Sequence, residues 1–172
     1  MLFPKQLEVE IVRGVCTATC PMCSIEETRY NSSVMDFKKF KTIIDKFGED
    51  IKKIKRVNLV GIGEVLVDVR LNRKIEYLKS KGIEHIVFPT NASLLKTEVA
   101  KKVLNAGIGE VIFGIDSMNK KIFEKVRRDL IFEEILENTL NYIKIRDEGD
   151  YNSKIMIRMI VSKENSNEWD SY

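Results

Sequence analysis

The chain has 172 residues, 44% hydrophobic and 32% charged, and its 29 Lys and Arg against 26 Asp and Glu leave a net charge of +3. That length suits one domain with a full core, and 9 Gly and 3 Pro exclude collagen and low-complexity disorder. Charge so nearly balanced demands neither a nucleic-acid nor a membrane partner; no stretch reaches the roughly 18 apolar residues of a membrane helix, the opening residues lack a signal-peptide core, and a cytoplasmic protein is expected.

The first strand is predicted over residues 7–12, where Leu7, Val9 and Ile11 alternate with Glu8 and Glu10. A loop, Gly14-Val15-Cys16-Thr17-Ala18-Thr19-Cys20-Pro21-Met22-Cys23, follows directly. Phe37, Phe40, Ile43, Ile44 and Phe47 then form an apolar stripe at helical spacing, stopped by Gly48. The second strand is predicted over 56–60 and leads into Gly61-Ile62-Gly63-Glu64. A helix carried by Leu71, Ile75 and Leu78 comes next, with Asp68 as its N-cap and Gly82 beyond its end. A third strand over 84–88 runs into Thr90-Asn91-Ala92-Ser93, and Val99, Val103 and Leu104 mark a helix ended by Gly107. A fourth strand over 110–115 runs into Asp116 and Ser117. Ile122, Phe123 and Val126 predict a short helix, and Phe132, Ile135, Leu136, Leu140 and Ile143 a longer one before Gly149. The fifth strand is predicted over 154–161.

Strict β-α alternation implies an α/β fold with a parallel sheet and right-handed crossovers. No linker or repeat divides residues 1–172, which read as one domain. Lysine pairs such as Lys38-Lys39 and Lys52-Lys53 read as solvated helix faces, which makes nucleic-acid binding an unneeded assumption.

All three cysteines, Cys16, Cys20 and Cys23, fall in the first loop with the spacing Cys-x3-Cys-x2-Cys. An odd number packed so tightly argues against a disulfide framework and for a metal or redox site. Three thiolates on a short loop can converge on one soft metal centre. A cubane iron–sulfur cluster ordinarily takes four cysteines, so one held here would keep an iron without a protein ligand, and an open coordination position makes a metal centre reactive. The alternatives are a zinc site completed by His85, the sole histidine, and unligated core cysteines. His85 opens the third strand while the cysteines follow the first, which in a parallel sheet puts them at opposite edges. The spacing favours the iron–sulfur reading.

With these motifs the sequence resembles the radical S-adenosylmethionine (radical SAM) family, whose signature is Cys-x3-Cys-x2-Cys after the first strand of a partial (β/α)6 barrel. The resemblance covers roughly residues 7–168. It implies that Cys16, Cys20 and Cys23 hold a 4Fe–4S cluster and that SAM binds its fourth iron. The reduced cluster then cleaves SAM to methionine and a 5′-deoxyadenosyl radical, which abstracts a hydrogen from substrate. Gly61, Gly63 and Glu64 resemble the glycine–glutamate motif that meets the SAM amino group. Thr90-Asn91-Ala92 is similar to the family's Thr-Asn-Gly turn. Asp116 and Ser117 are similar to the Ser-Ile-Asp motif, with Arg127 as the arginine that follows it. Singly, Asn91 could be an Asx turn, Asp116 or Ser117 a helix cap, and Arg127 a surface residue. Together they fall at the C-terminal ends of the strands, the face where barrel enzymes build active sites. The phrases Gly61-Ile62-Gly63-Glu64, Thr90-Asn91-Ala92-Ser93-Leu94-Leu95 and Val161-Ser162-Lys163-Glu164-Asn165 further resemble the branch that carries a cysteine-rich SPASM domain. That branch implies a peptide or protein substrate. The family also implies a one-electron donor such as flavodoxin or ferredoxin.

Three positions depart from the family pattern. Met22 stands where an aromatic residue is common, Val65 where proline is common, and Gly114 where the Ser-Ile-Asp motif has its serine. The family core has six strands, whereas about five are predicted here, so the barrel is expected to be C-terminally incomplete. Either the product is truncated or split, or a partner chain completes the barrel. The leading function is a radical SAM enzyme. The alternatives are a fragment that binds a cluster without turnover and a structural zinc domain. No residue stands out as a catalytic acid or base.

Overall fold

The structure is a computed structural model that describes residues 3–171, with side chains described through Glu168. In chain order it contains β1 (Gln6–Arg13), β2 (Ser33–Val34), α1 (Phe37–Asp45), β3 (Arg56–Ile62), α2 (Leu71–Ser80), β4 (His85–Thr90), α3 (Thr97–Asn105), β5 (Glu110–Gly114), α4 (Lys120–Val126), α5 (Phe132–Glu148) and β6 (Lys154–Arg158). Short 3-10 turns fill several of the connections.

One six-stranded sheet has the order β2-β1-β3-β4-β5-β6. The five predicted strands are parallel to their neighbours, and β2 runs antiparallel to β1, pairing Val34 with Val12. Because the parallel strands lie in chain order, right-handed crossovers all place their helices on the same face. That face is the core: Val9 and Ile11, Val57 and Leu59, Ile86 and Phe88, and Val111 and Phe113 bury against Phe40, Ile44, Ile75, Leu78, Val103 and Tyr142. Alternation and register put Glu8, Asn58, Val87, Glu110 and Lys154 across one row of the other face. The result is a partial (β/α) barrel whose sheet does not close, with β2 and β6 as its edges.

Several local expectations are corrected. Two-residue β2 was not predicted, because it is too short to show alternation. The apolar stripe of the first helix outruns it: α1 ends at Asp45 and the chain turns at Gly48, φ 52°. Asp68 is not the cap residue next to α2. It accepts the Arg70 N–H at 3.0 Å and forms a buried ion pair with Lys74, whose Nζ also donates to the Met35 carbonyl at 2.5 Å. The fifth predicted strand stops at Arg158 rather than residue 161, because the Ile160 N–H turns to Asp116 Oδ1 at 2.8 Å. Lys38, Lys39, Lys52 and Lys53 are exposed, as solvated faces should be.

Candidate metal centre

The cysteine loop is fastened at its root by the end of β3. Gly14, at φ 68°, donates its N–H to the Ile62 carbonyl at 2.7 Å, and the Glu64 N–H reaches the Val15 carbonyl at 2.9 Å. A β-bulge at residues 10–12 of β1 lies where the two strands approach most closely. A Cβ on Gly61 would fall 1.9 Å from the Val12 carbonyl oxygen, and one on Gly63 would fall 2.3 Å from that of Val15. These glycines therefore answer a backbone crossing inside the fold.

The tip of the loop is held from the end of β4 and from the turn after α4. Thr17 Oγ1 lies 2.7 Å from Ser93 Oγ and accepts from Asn91 Nδ2 at 3.0 Å. The Thr19 N–H donates to the Arg128 carbonyl at 3.2 Å, and its hydroxyl to Asp129. Asn91 also forms an Asx turn, accepting from the Ser93 N–H at 3.0 Å, and still lines the cavity. Ala92, next in the turn, sits at φ 64°.

Cys16, Cys20 and Cys23 line one cavity of about 350 Å³ together with Gly61, Gly63, Glu64, Asn91, Gly114 and Arg127. Cys16 is half-buried, Cys20 buried and Cys23 exposed. Sulfur receives weak donors: Ala18 N–H at 3.4 Å and Asn91 Nδ2 at 3.7 Å on Cys16, and Arg127 Nη1 at 4.0 Å on Cys20. Burial raises both the Cys16 and the Cys20 thiol pKa. The Ala18 N–H opposes this at Cys16, and Arg127 opposes it at Cys20. Among the described residues no three His, Cys, Asp or Glu side chains stand as a preformed metal cage. The three thiols on one wall of the cavity, with nitrogen donors aimed at the sulfurs of Cys16 and Cys20, fit a soft, thiolate-bound group such as an iron–sulfur cluster.

Glu64, 2% exposed, accepts from the Leu66 N–H, Thr90 Oγ1 and the Asn91 N–H at 2.7–3.0 Å. Burial nonetheless pushes its carboxyl pKa upward. Asp116 and Ser117 are fully buried and do not line the cavity. Asp116 Oδ2 instead takes Arg127 Nε at 2.5 Å, and Ser117 Oγ meets Glu168 at 2.8 Å. Neither caps α4, a role filled by Asn119. Arg127 is no surface arginine: its side chain is mostly buried, and although burial alone would lower its pKa, the Asp116 pairing raises it. A Cβ on Gly114 would lie 2.8 Å from Arg127 Nη2, so the missing serine makes room for this guanidinium.

His85 lies elsewhere. It pairs with Glu110 at 2.9 Å and contacts Arg56 at 3.0 Å. Its register places it level with Gln6, seven residues before the end of β1. That is roughly 23 Å from the cysteine loop at 3.3 Å per residue, so His85 does not complete a zinc set with these cysteines. Arg158 and Ile160 also line the cavity. Neither has a signal in the sequence, because an arginine and an isoleucine within a strand pattern point to no site.

A family model described as Radical SAM superfamily matches residues 11–170. UPF0026 protein MJ1312 of Methanocaldococcus jannaschii is 29% identical over 139 residues, covering 74% of this chain and 42% of that protein. The "Probable GTP 3′,8-cyclase" of Sulfolobus acidocaldarius is 29% identical over 122 residues, covering 71% and 38%. The chain thus spans about two-fifths of the length of these curated relatives. Crystal structures of Streptococcus suis SuiB, bound to S-adenosylmethionine or to the precursor peptide SuiA, superpose with a TM-score of 0.71 at 14% identity, over 98% of this chain and 36% of SuiB. Members of the matched family use a 4Fe–4S cluster and SAM. A match over nearly the whole length, on a partial barrel with its cysteine loop at the strand ends, places this chain in the radical SAM superfamily.

Proposed function

We propose that residues 1–172 form a radical SAM core domain that binds a 4Fe–4S cluster through Cys16, Cys20 and Cys23 and SAM beside it. The observation that carries this reading is one cavity lined by all three thiols together with Glu64, Asn91 and Arg127. When bound, cluster and SAM supply radical chemistry through reductive cleavage of SAM; the protein orients them and excludes competing reactions. Glu64 offers a carboxylate to the SAM amino group, and Arg127 offers a guanidinium to its carboxylate. Gly61 and Gly63 keep the strand end in place, and Asn91 fixes Thr17 under the loop. Asp116 acts by holding Arg127, and Ser117 by holding the segment after β6. A flavodoxin or ferredoxin is the expected electron donor. The peptide bound by SuiB supports a peptide or protein substrate. A chain that completes the barrel beyond β6 is a further expected partner.

The test is electron paramagnetic resonance of anaerobically reconstituted, reduced protein with and without SAM, beside iron and sulfide analysis. The expected result is a 4Fe–4S signal that shifts with SAM and is lost when Cys16, Cys20 and Cys23 are replaced by Ala. Release of 5′-deoxyadenosine would extend it to turnover. A cluster signal indifferent to SAM would reduce the domain to a cluster-binding fragment. A colourless protein with one zinc would overturn the reading.

A further inference from the structure

The sheet face opposite the helices is rich in ionisable groups, and most of them are matched. Arg56 and His85 both reach Glu110, at 3.1 and 2.9 Å. Asn58 donates to Glu8 at 3.0 Å, and Arg13 pairs with Glu10 at 3.2 Å. Arg127 is held by Asp116. At the level of the cavity the exception is Arg158. Its backbone belongs to the frame: it is in register with Gly114, and its carbonyl accepts the Ile115 N–H at 3.2 Å. The residue is exposed and lines the cavity. Among the described residues, its guanidinium takes part in none of the ion pairs with carboxylates.

The acid that lines the cavity and the acid that holds Arg127 are already engaged. Glu64 holds three donors, and Asp116 takes both Arg127 and the Ile160 N–H. Arg127, 4.0 Å from Cys20 Sγ, faces the thiol side. SAM brings one carboxylate, and Arg127 answers it in the reading above. A second guanidinium on the same cavity is then left without an anion. A planar guanidinium offers paired N–H donors that match carboxylate and phosphate.

We propose that Arg158 is the substrate-recognition residue of this cavity and takes an anionic group of the substrate, a carboxylate or a phosphate. The proposal rests on the radical SAM reading of the cavity.

The experiment is isothermal titration of inorganic pyrophosphate, and separately of glutarate, into reconstituted protein with and without saturating SAM. Saturable binding of one anion is expected in the presence of SAM, and the anion preferred names phosphate or carboxylate. Arg158→Gln is expected to weaken it roughly ten- to hundred-fold, the span of a lost charge-assisted hydrogen bond. Arg158→Lys should retain part of the binding. Lys154→Gln, on the same strand and face but away from the cavity, should bind as the parent does. Thermal melts check that each variant folds. Binding of neither anion, or equal binding by Arg158→Gln, would overturn the proposal. So would displacement of the anion by SAM, which would assign Arg158 to the cofactor carboxylate. Repeating the titration on metal-free protein separates the two readings. Arg158-dependent anion binding without a SAM-responsive cluster keeps the anion site and sinks the radical reading; a SAM-responsive cluster without such binding does the reverse.

Discussion

Gly61 and Gly114 both leave space, but for neighbours of different stiffness. At Gly61 a methyl would meet the Val12 carbonyl at 1.9 Å, inside a parallel ladder that cannot swing aside. At Gly114 the obstacle is the far end of the Arg127 side chain, at 2.8 Å. Gly61→Ala is therefore expected to cost at least about 2–3 kcal/mol, as overpacking against rigid atoms does. Gly114→Ser should stay within about 1 kcal/mol while moving the guanidinium. Urea midpoints of the metal-free proteins compare the two; equal losses would contradict the backbone-crossing account. Tyr142 belongs to the same scale. It is fully buried, donates to or accepts from Ser153 Oγ at 2.9 Å, and burial pushes its phenol up to about 12. Its folded pKa lies above the unfolded value of about 10, so its contribution is intact below pH 10 and is lost as pH rises toward 12. Tyr142→Phe should flatten the fall of the melting temperature across pH 10–12, at about 1 kcal/mol of stability at neutral pH for the lost hydrogen bond.

The elements show why the candidate site forms where it does. The cysteine loop has no regular structure of its own and is secured by β3 through Ile62 and Glu64, by β4 through Asn91 and Ser93, and by the turn after α4 through Arg128. The segment after β6 is secured the same way. Asn165 is fully buried, its Nδ2 donates to the carbonyls of Asp116 at 2.6 Å and Ile160 at 2.9 Å, and its Oδ1 accepts the Ser162 N–H at 2.6 Å. That turn holds the Asp116 loop, and Asp116 holds Arg127. Asn165→Ala strands buried polar partners and is expected to cost about 1–3 kcal/mol. Limited proteolysis should then cut faster within residues 160–168 while the strands stay protected. Unchanged cleavage would mean that the segment is held by something other than Asn165.

For the molecule as a whole, the open sheet sets the behaviour. β6 is an edge, and Met156, Ile157, Ile160 and Val161 are 43–49% exposed on or beside it. An unpaired apolar edge is a template for pairing with another chain. The 172-residue chain is expected to self-associate with rising concentration, and Met156→Lys with Ile157→Lys should hold it monomeric. Sedimentation velocity checks this; a monomer at all concentrations would show that the edge is protected. Among the described residues no helix is long and apolar enough to cross a membrane.

Much of this architecture was legible in the sequence because it is written locally. Strand alternation, helical stripes and the glycines after them mark five parallel strands and their crossovers, and Cys-x3-Cys-x2-Cys needs only eight consecutive residues to declare a thiol-lined loop. Two-residue β2 and the early end of β6 escaped because pairing and a side-chain carboxylate, not periodicity, decide them. The same limit governs the site. That Arg127 reaches both Asp116 and Cys20, that Gly61 yields to Val12, and that Asp116 and Ser117 sit behind the cavity while Arg158 lines it are facts of tertiary structure. Those contacts join residues separated by up to 107 positions. Local spacing determines which turns carry chemistry; only the packed sheet decides which side chains face one another across it.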